Sequence, residues 1–260
     1  MSRAGARARL RGLLEGARTL RGVARSLRIY YGGRERHRRM DRLHAGLVRR
    51  GDLVFDIGAH VGDRVASFRR LGARIVAVEP QPALAQVLKL FYGRSAEVTI
   101  ETKAVGRTAG KTSMMINVDN PTVSTASLAF MAAAGDAPGW KGQRWTKAVT
   151  VPVTTLDALI EKYGAPAFIK IDVEGFEEEA LAGLTHPVPA LSFEFTTIQR
   201  DVALACIERC TVLGYKRFNA ALGEAQAFVT EDWVDSEQII RWLGALPASA
   251  NSGDIYAALA

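Results

Sequence analysis

The run Val54-Phe55-Asp56-Ile57-Gly58-Ala59-His60-Val61-Gly62 decides the fold. An apolar stretch ends in an acid, passes through a glycine-spaced turn, and gives way to helical spacing from about Val61 to Leu71. That order reads as a buried strand, Leu53 to Asp56, feeding a helix in a parallel βαβ unit. Gly58 and Gly62 let a ligand approach the backbone. Dinucleotide sites want G-x-G-x-x-G after the strand, and here Ala59 and His60 stand in that pattern. Asp56 also puts negative charge where a diphosphate would be repelled. A ligand with an amino-acid tail and a cationic sulfonium suits the turn better. Asp56 then holds its ammonium, directly or through water, while turn N–H groups take its carboxylate. An Asp that only caps the following helix is the structural alternative.

Downstream, the texture continues with a strand at 74–78, a helix at 82–92 and a strand at 98–102. Lys111 to Val118 and Lys147 to Val153 alternate like antiparallel strands. They flank a stretch without clear period, about 117–147, which reads as a lid or acceptor loop. A helix from Thr155, a strand 167–171, a helix 175–183, a strand 190–194, a helix 202–213 and strands at 215–218 and 254–258 complete a Rossmann-like, doubly wound, mostly parallel sheet that ends in an antiparallel pair.

Two further strand ends carry acids. Glu79, after Ile75-Val76-Ala77-Val78 and before Pro80, lies 23 residues beyond Asp56 and is placed to accept both hydroxyls of a ribose. The strand Phe168-Ile169-Lys170-Ile171-Asp172-Val173-Glu174 delivers charge that a buried strand rejects unless it is paired or used. Lys170 and Asp172 share a face, so an ion pair is the plain reading. The alternative sets Asp172 and Glu174 at the strand's carboxyl end with Glu194 of the next strand, so that three carboxylates face one cleft. No metal-ligand spacing accompanies them, and no metal is expected.

The basic character belongs to one end. Residues 1–50 hold fifteen Arg and three acids, a net of +12, whereas the rest of the chain has nineteen basic and twenty-four acidic groups, a net of −5. Leu10, Leu13, Leu14, Ala17, Leu20, Ala24 and Leu27 recur at helical spacing with Arg11, Arg18, Arg21 and Arg25 mostly to one side. This amphipathic extension either packs on the body or on a second subunit, docks on anionic lipid or an acidic partner, or resembles an organellar presequence. Gly32-Gly33 ends its first helix. Cys206 and Cys210 read as small buried hydrophobes, which fits a reducing compartment. No apolar run reaches the length of a bilayer, and the first residues lack the apolar core of a secretory signal. A cytoplasmic protein, or one peripheral at a membrane, is the expectation.

Taken in order, Asp56-Ile57-Gly58-Ala59-His60-Val61-Gly62, Glu79-Pro80, Ala104-Val105-Gly106, Ser124-Thr125-Ala126-Ser127-Leu128, Thr155-Leu156-Asp157 and Ile169-Lys170-Ile171-Asp172-Val173-Glu174-Gly175 resemble the FkbM-type methyltransferases over about residues 51–219. The resemblance implies a class I methyltransferase fold of seven strands, S-adenosylmethionine as donor, and a hydroxyl acceptor on a sugar, glycan or natural product. His60 stands where the family often has Asn. Asp56, Gly58, Ala59, His60, Gly62, Glu79, Pro80, Ala104, Val105 and Asp172 are then the donor-binding residues. Asp172 or Glu174 is the base, Lys170 orients the carboxylates, and His60 is the second choice for the proton. Glu194, Ser124, Ser127, Trp140 and Trp145 are expected to shape the acceptor side.

The division expected is an extension over 1–50 and a methyltransferase domain over 51–260. The competing readings are a nicotinamide oxidoreductase, which lacks the third glycine and a Tyr-x-x-x-Lys pair, and an inactive scaffold docked through the extension. Nucleic acid is disfavoured as a substrate, because Asp172-Val173-Glu174-Gly175 stands where base N-methylation uses an Asp/Asn-Pro-Pro-aromatic turn. A homo-oligomer stays open.

Overall fold

In a computed structural model the chain is described over residues 3–259, with side chains from residue 16 onward. The elements in chain order are α1 (Arg3–Tyr30), α2 (Arg34–Ala45), β1 (Leu53–Ile57), α3 (Asp63–Arg70), β2 (Arg74–Val78), α4 (Pro82–Tyr92), β3 (Val98–Glu101), β4 (Ala104–Val105), β5 (Gly110–Ile116) and α5 (Leu128–Asp136). They continue with β6 (Lys147–Thr154), α6 (Leu156–Tyr163), β7 (Phe168–Ile171), α7 (Glu177–Ala182), β8 (Ala190–Thr196), α8 (Arg200–Val212), β9 (Arg217–Leu222), α9 (Ser236–Ala245) and β10 (Ser252–Ala258).

Seven strands form one sheet in the order β3-β2-β1-β7-β8-β10-β9. All neighbours are parallel except β10, which runs antiparallel to both β8 and β9. Alternation along β1 sorts its side chains between two cores. Leu53, Phe55 and Ile57 join the cluster that holds Leu156, Leu181, Cys206, Ile207 and Leu243, so α6–α9 cover that face. Val54 joins Leu43, Val65, Phe68 and Leu88, so α2–α4 cover the other. Both cysteines are free and buried, as their apolar setting requires. Because β2 leaves β1 on one side and β7 adjoins it on the other, the strand order reverses at the β1/β7 junction, where an open α/β sheet admits a ligand.

Several boundaries differ from the sequence reading. Helix α3 begins at Asp63, not Val61, because Gly58, His60 and Gly62 all adopt positive φ (81°, 49° and 86°) and hold the turn open for two more residues. Ala104-Val105, a motif the sequence reading assigned to no helix or strand, is a short strand. It pairs with β6, which also carries β5 antiparallel in a separate three-stranded sheet. The unpatterned stretch contains α5, whose Leu-Ala-Phe-Met-Ala-Ala-Ala composition has apolar residues all round and hence no period to detect. Helix α9 was missed altogether, although Asp235 and Gln238 form a complete capping box at its start.

The extension is packed where it is described. Val23, Leu27, Tyr30 and Tyr31 lie against Val61 and Leu84 of the body. Met40 and Leu43 of α2 are buried, and Arg18 pairs with Asp119. Leu10, Leu13 and Leu14 of the predicted stripe, and Arg11 beside it, lie outside the described side chains. Among the described residues no helix is long and apolar enough to cross a membrane.

Candidate functional site

A cavity of about 370 Å³ opens over the carboxyl ends of β1, β2 and β7. Its walls include Gly58, Ala59 and His60 after β1, Glu79 and Pro80 after β2, Ala104 and Val105, Ser124 and Trp140 of the 117–147 stretch, Lys170, Asp172 and Glu174, and Glu194 of β8. The structure thus brings most of the predicted residues to one place. It does not bring Asp56, Gly62, Ser127 or Trp145 to the wall. The Gly62 Cα faces Tyr92 and Leu88, so that glycine serves packing. Ser127 Oγ accepts from Phe130 N and caps α5. Trp145 donates to the Val123 carbonyl at 2.7 Å and sets its ring edge to Phe130, which makes it a strut within the 117–147 stretch.

Asp56 is a correction of a different kind. Its side chain lies on the α2–α4 face in register with Lys170, is fully buried, and neither oxygen has a hydrogen-bond partner. It is neither an N-cap nor a wall residue. Burial pushes its pKa up to about 7 while the Lys170 ammonium pulls the other way.

The turn after β1 is pressed on the end of β7. A Cβ on Gly58 would stand 1.8 Å from the Asp172 carbonyl oxygen. Glu79 closes the other side, with Oε2 accepting from His60 N at 2.9 Å and Oε1 from Gln81 N at 2.7 Å. Each oxygen keeps a second lone pair. Burial pushes this carboxyl up to about 8, against the pull of the two N–H groups. His60 is driven down to about 4 by burial and is a neutral imidazole at physiological pH.

Across the cavity, Lys170 Nζ donates to Asp172 Oδ2 at 2.6 Å, so the plain ion-pair reading holds. Burial opposes charge on both, yet each partner outweighs it: the ammonium is held above its usual range and the Asp172 carboxylate below. Glu174 and Glu194 are the reverse. Burial, then the nearby Asp172 charge, pushes both well above the usual carboxylate range. One carboxylate oxygen from each of Asp172, Glu174 and Glu194 lies within 4.8 Å of the others, so the three acids do face one cleft. Glu174 sits at φ 55°, and Thr125 ties the 117–147 stretch to that bend by donating to the Glu174 carbonyl at 2.6 Å.

Residues that the sequence reading missed complete the walls. Asp254 of β10 lies opposite Glu194 in register and reaches the cavity because β10 enters the sheet from the end where the parallel strands finish. Tyr30 comes from the extension. Its ring meets His60 edge-on at 5.2 Å, and Arg36 lies over it while pairing with Asp63 and Glu224 at the rim. Arg64 pairs with Asp63 at 2.7 Å beside them. Only the acid at a strand end was a legible signal here, for Asp254. Nothing in the local pattern marks Tyr30 or Arg64.

Compared with known proteins, the chain matches the methyltransferase FkbM domain over residues 56–252. Among solved structures, precorrin-6y C5,15-methyltransferase from Geobacter metallireducens is similar at 16% identity, over 85% of this chain and 86% of that one, with a TM-score of 0.39. A TehB-like SAM-dependent methyltransferase from Corynebacterium glutamicum is similar at 12% identity over 85% and 86%, with a TM-score of 0.42. Aeropyrum pernix fibrillarin, in complex with natively bound S-adenosyl-L-methionine, is similar at 11% identity over 81% and 68%, with a TM-score of 0.42. No curated protein matches the chain. The family match spans well over half of the 260 residues and takes in the β1 turn, Glu79, the Lys170–Glu174 segment and Glu194. The chain therefore belongs to the FkbM methyltransferase family, with the class I methyltransferase sheet and S-adenosylmethionine as its cofactor.

Proposed function

We propose that the protein is an O-methyltransferase whose acceptor is a hydroxyl on a sugar, glycan or natural product. The observation that carries this is geometric: the Lys170–Asp172 pair, 2.6 Å apart, stands beside Glu174 and Glu194 on the cavity wall, with an oxygen of each of the three acids within 4.8 Å of the others. In this reading residues 51–260 are the catalytic unit, 117–147 its acceptor lid, and 1–50 an extension whose exposed Arg21, Arg25 and Arg28 favour contact with anionic lipid or an acidic partner.

The wall fits the donor. Seven acidic side chains line it against three basic ones, and Pro80, Val78, Val105 and Met114 offer an apolar face for a purine. The N–H groups of the turn do not take the carboxylate as the sequence suggested, because Gly58 N and Ala59 N donate to the Val78 carbonyl and His60 N to Glu79; the turn would line the amino-acid tail, and Glu79 would hold the ribose. When bound, S-adenosylmethionine supplies a methyl group already activated by its sulfonium. What remains for the chain is alignment and the acceptor's proton. Asp172, kept ionised and fixed by Lys170, is the group that takes that proton. His60, neutral and on the same wall, is the second choice. Glu194 and Trp140 bound the acceptor side.

Incubating the protein with methyl-labelled donor and acceptors that offer either hydroxyls or amines tests the reading. Label in an ether linkage is the expected product, and label on nitrogen alone would refute it.

Two predictions follow from the same wall. Ribose hydroxyls donate to a charged carboxylate, but Glu79 is mostly protonated below its pKa of about 8, so donor binding must first expel that proton. Affinity is expected to rise by up to roughly tenfold per pH unit from about pH 6 and to level above about pH 8. Calorimetry across that range measures it, and a flat profile contradicts it. Tyr30→Ala removes the ring over His60, an aromatic contact of about 1 kcal/mol, and should weaken donor binding roughly fivefold. Tyr30→Phe keeps the ring and should stay near the parent. Equal losses in both would show that the hydroxyl, not the ring, matters.

A further inference from the structure

The acidic wall holds more carboxylate than its partners can satisfy. Lys170 is committed to Asp172 Oδ2. Glu174 is 8% exposed, and no described residue gives its carboxylate a hydrogen bond or ion pair. The Oε2 atom of Glu194 is wholly buried and has no partner. Buried oxygens of this kind are costly unless something meets them. Both orphaned side chains converge with Asp172 at one point of the cavity, where the three oxygens lie within 4.8 Å of one another.

We propose that Asp172, Glu174 and Glu194 bind one hard divalent cation of the Mg²⁺ or Mn²⁺ kind on the acceptor side of the cavity. Ligands on opposite sides of such an ion stand about 4.2 to 4.8 Å apart at metal–oxygen distances of about 2.1 to 2.4 Å, so the spacing of these oxygens suits a shared ion. The donor set is all oxygen, with no Cys or His in the group, which disfavours zinc or copper. Only three protein ligands are supplied, and the open positions face the cavity, where a hydroxyl can bind and become more acidic. The sequence shows no metal spacing because two of the ligands leave the end of β7 and the third stands on β8. The cation extends the hydroxyl reading above: with the ion bound, Asp172 serves as its ligand and the proton of the acidified hydroxyl goes to His60, the second choice named there; the binding itself does not depend on that reading.

The test uses the full chain, stripped with chelator and titrated with Mn²⁺ while the free ion is followed by electron paramagnetic resonance. One Mn²⁺ per chain is expected, displaced by Mg²⁺. Loss of an outer-shell partner costs roughly 10- to 100-fold in metal affinity, so removing a direct ligand in Glu174→Gln or Glu194→Gln should weaken binding by about 100-fold or more. Glu208→Gln, an exposed acid on α8, should change nothing. No saturable Mn²⁺ binding to the parent up to about 1 mM, or binding unaltered in both ligand variants, overturns the proposal. Full hydroxyl methylation by a stripped protein that binds no Mn²⁺ would remove the cation and leave the O-methyltransferase reading. Mn²⁺ binding together with methylation only at nitrogen would do the opposite.

Discussion

An Asp172→Asn, Glu174→Gln double variant is expected to keep S-adenosylmethionine binding within about tenfold and to lose about 10²- to 10⁴-fold in turnover, the usual range for removing a positioned proton acceptor. Both changes preserve shape, and donor binding by calorimetry checks that the cavity persists once the buried Lys170 has lost its partner. Asp172 is the one carboxylate of the three held in its charged form, by an ammonium 2.6 Å away. Turning it into an amide would remove the proposed acceptor for the proton and leave Lys170 without its closest counter-charge. Glu174 is replaced at the same time because it stands close enough to take over. Steady-state assays with labelled donor, paired with calorimetry, separate the two readouts. Full turnover in the double variant would mean that these acids serve only the fold.

Gly58→Ala is expected to cost the fold about 2–6 kcal/mol, from left-handed backbone at a non-glycine residue and from forced overpacking. The glycine sits at φ 81°, and the new Cβ would lie 1.8 Å from the Asp172 carbonyl oxygen and 2.9 Å from its carbon. The obstacle is backbone, so no side chain can swing away. Either the β1 turn or the end of β7 must move, and those two segments frame the cavity. A loss of that size in a chain this long lowers the melting temperature by roughly 5–20 °C. Gly135→Ala is the control: nothing lies within 4 Å of its Cβ, and as a residue within α5 it should be neutral or slightly stabilising. Similar melting of the two variants would show that the turn tolerates a side chain.

How far the sequence could be read depends on the range of the interaction concerned. The parallel strands were legible because they are short apolar runs buried on both faces, and Glu79, Asp172 and Glu194 were legible because a charge at the end of such a run has few structural excuses. The 117–147 stretch reads as a lid or loop but holds α5, which the sequence hides because a helix that is apolar all round has no period. Helix α9 was legible in principle from Asp235 and Gln238, yet it lies between the strands read at 215–218 and 254–258, where no element is assigned.

Other features exist only in three dimensions. Asp56 shares its motif with the wall residues, but strand alternation turns it to the opposite side of the sheet from Phe55 and Ile57, next to Lys170. Tyr30 belongs to a segment whose Arg-rich composition points to docking, whereas its place on the cavity wall is set by the packing of Val23 and Leu27 on Val61 and by the Arg36 pairs with Asp63 and Glu224. The meeting of Asp172, Glu174 and Glu194 needs the β7–β8 register, which no local spacing encodes.

The most direct test of the account is calorimetric titration of S-adenosylmethionine into the parent protein and into a Glu79→Ala variant. One saturable site per chain, lost or weakened at least about tenfold in the variant, is the predicted result, since Glu79 would hold the ribose. No binding to the parent, or binding that Glu79→Ala leaves unchanged, would contradict the placement of the donor in this cavity.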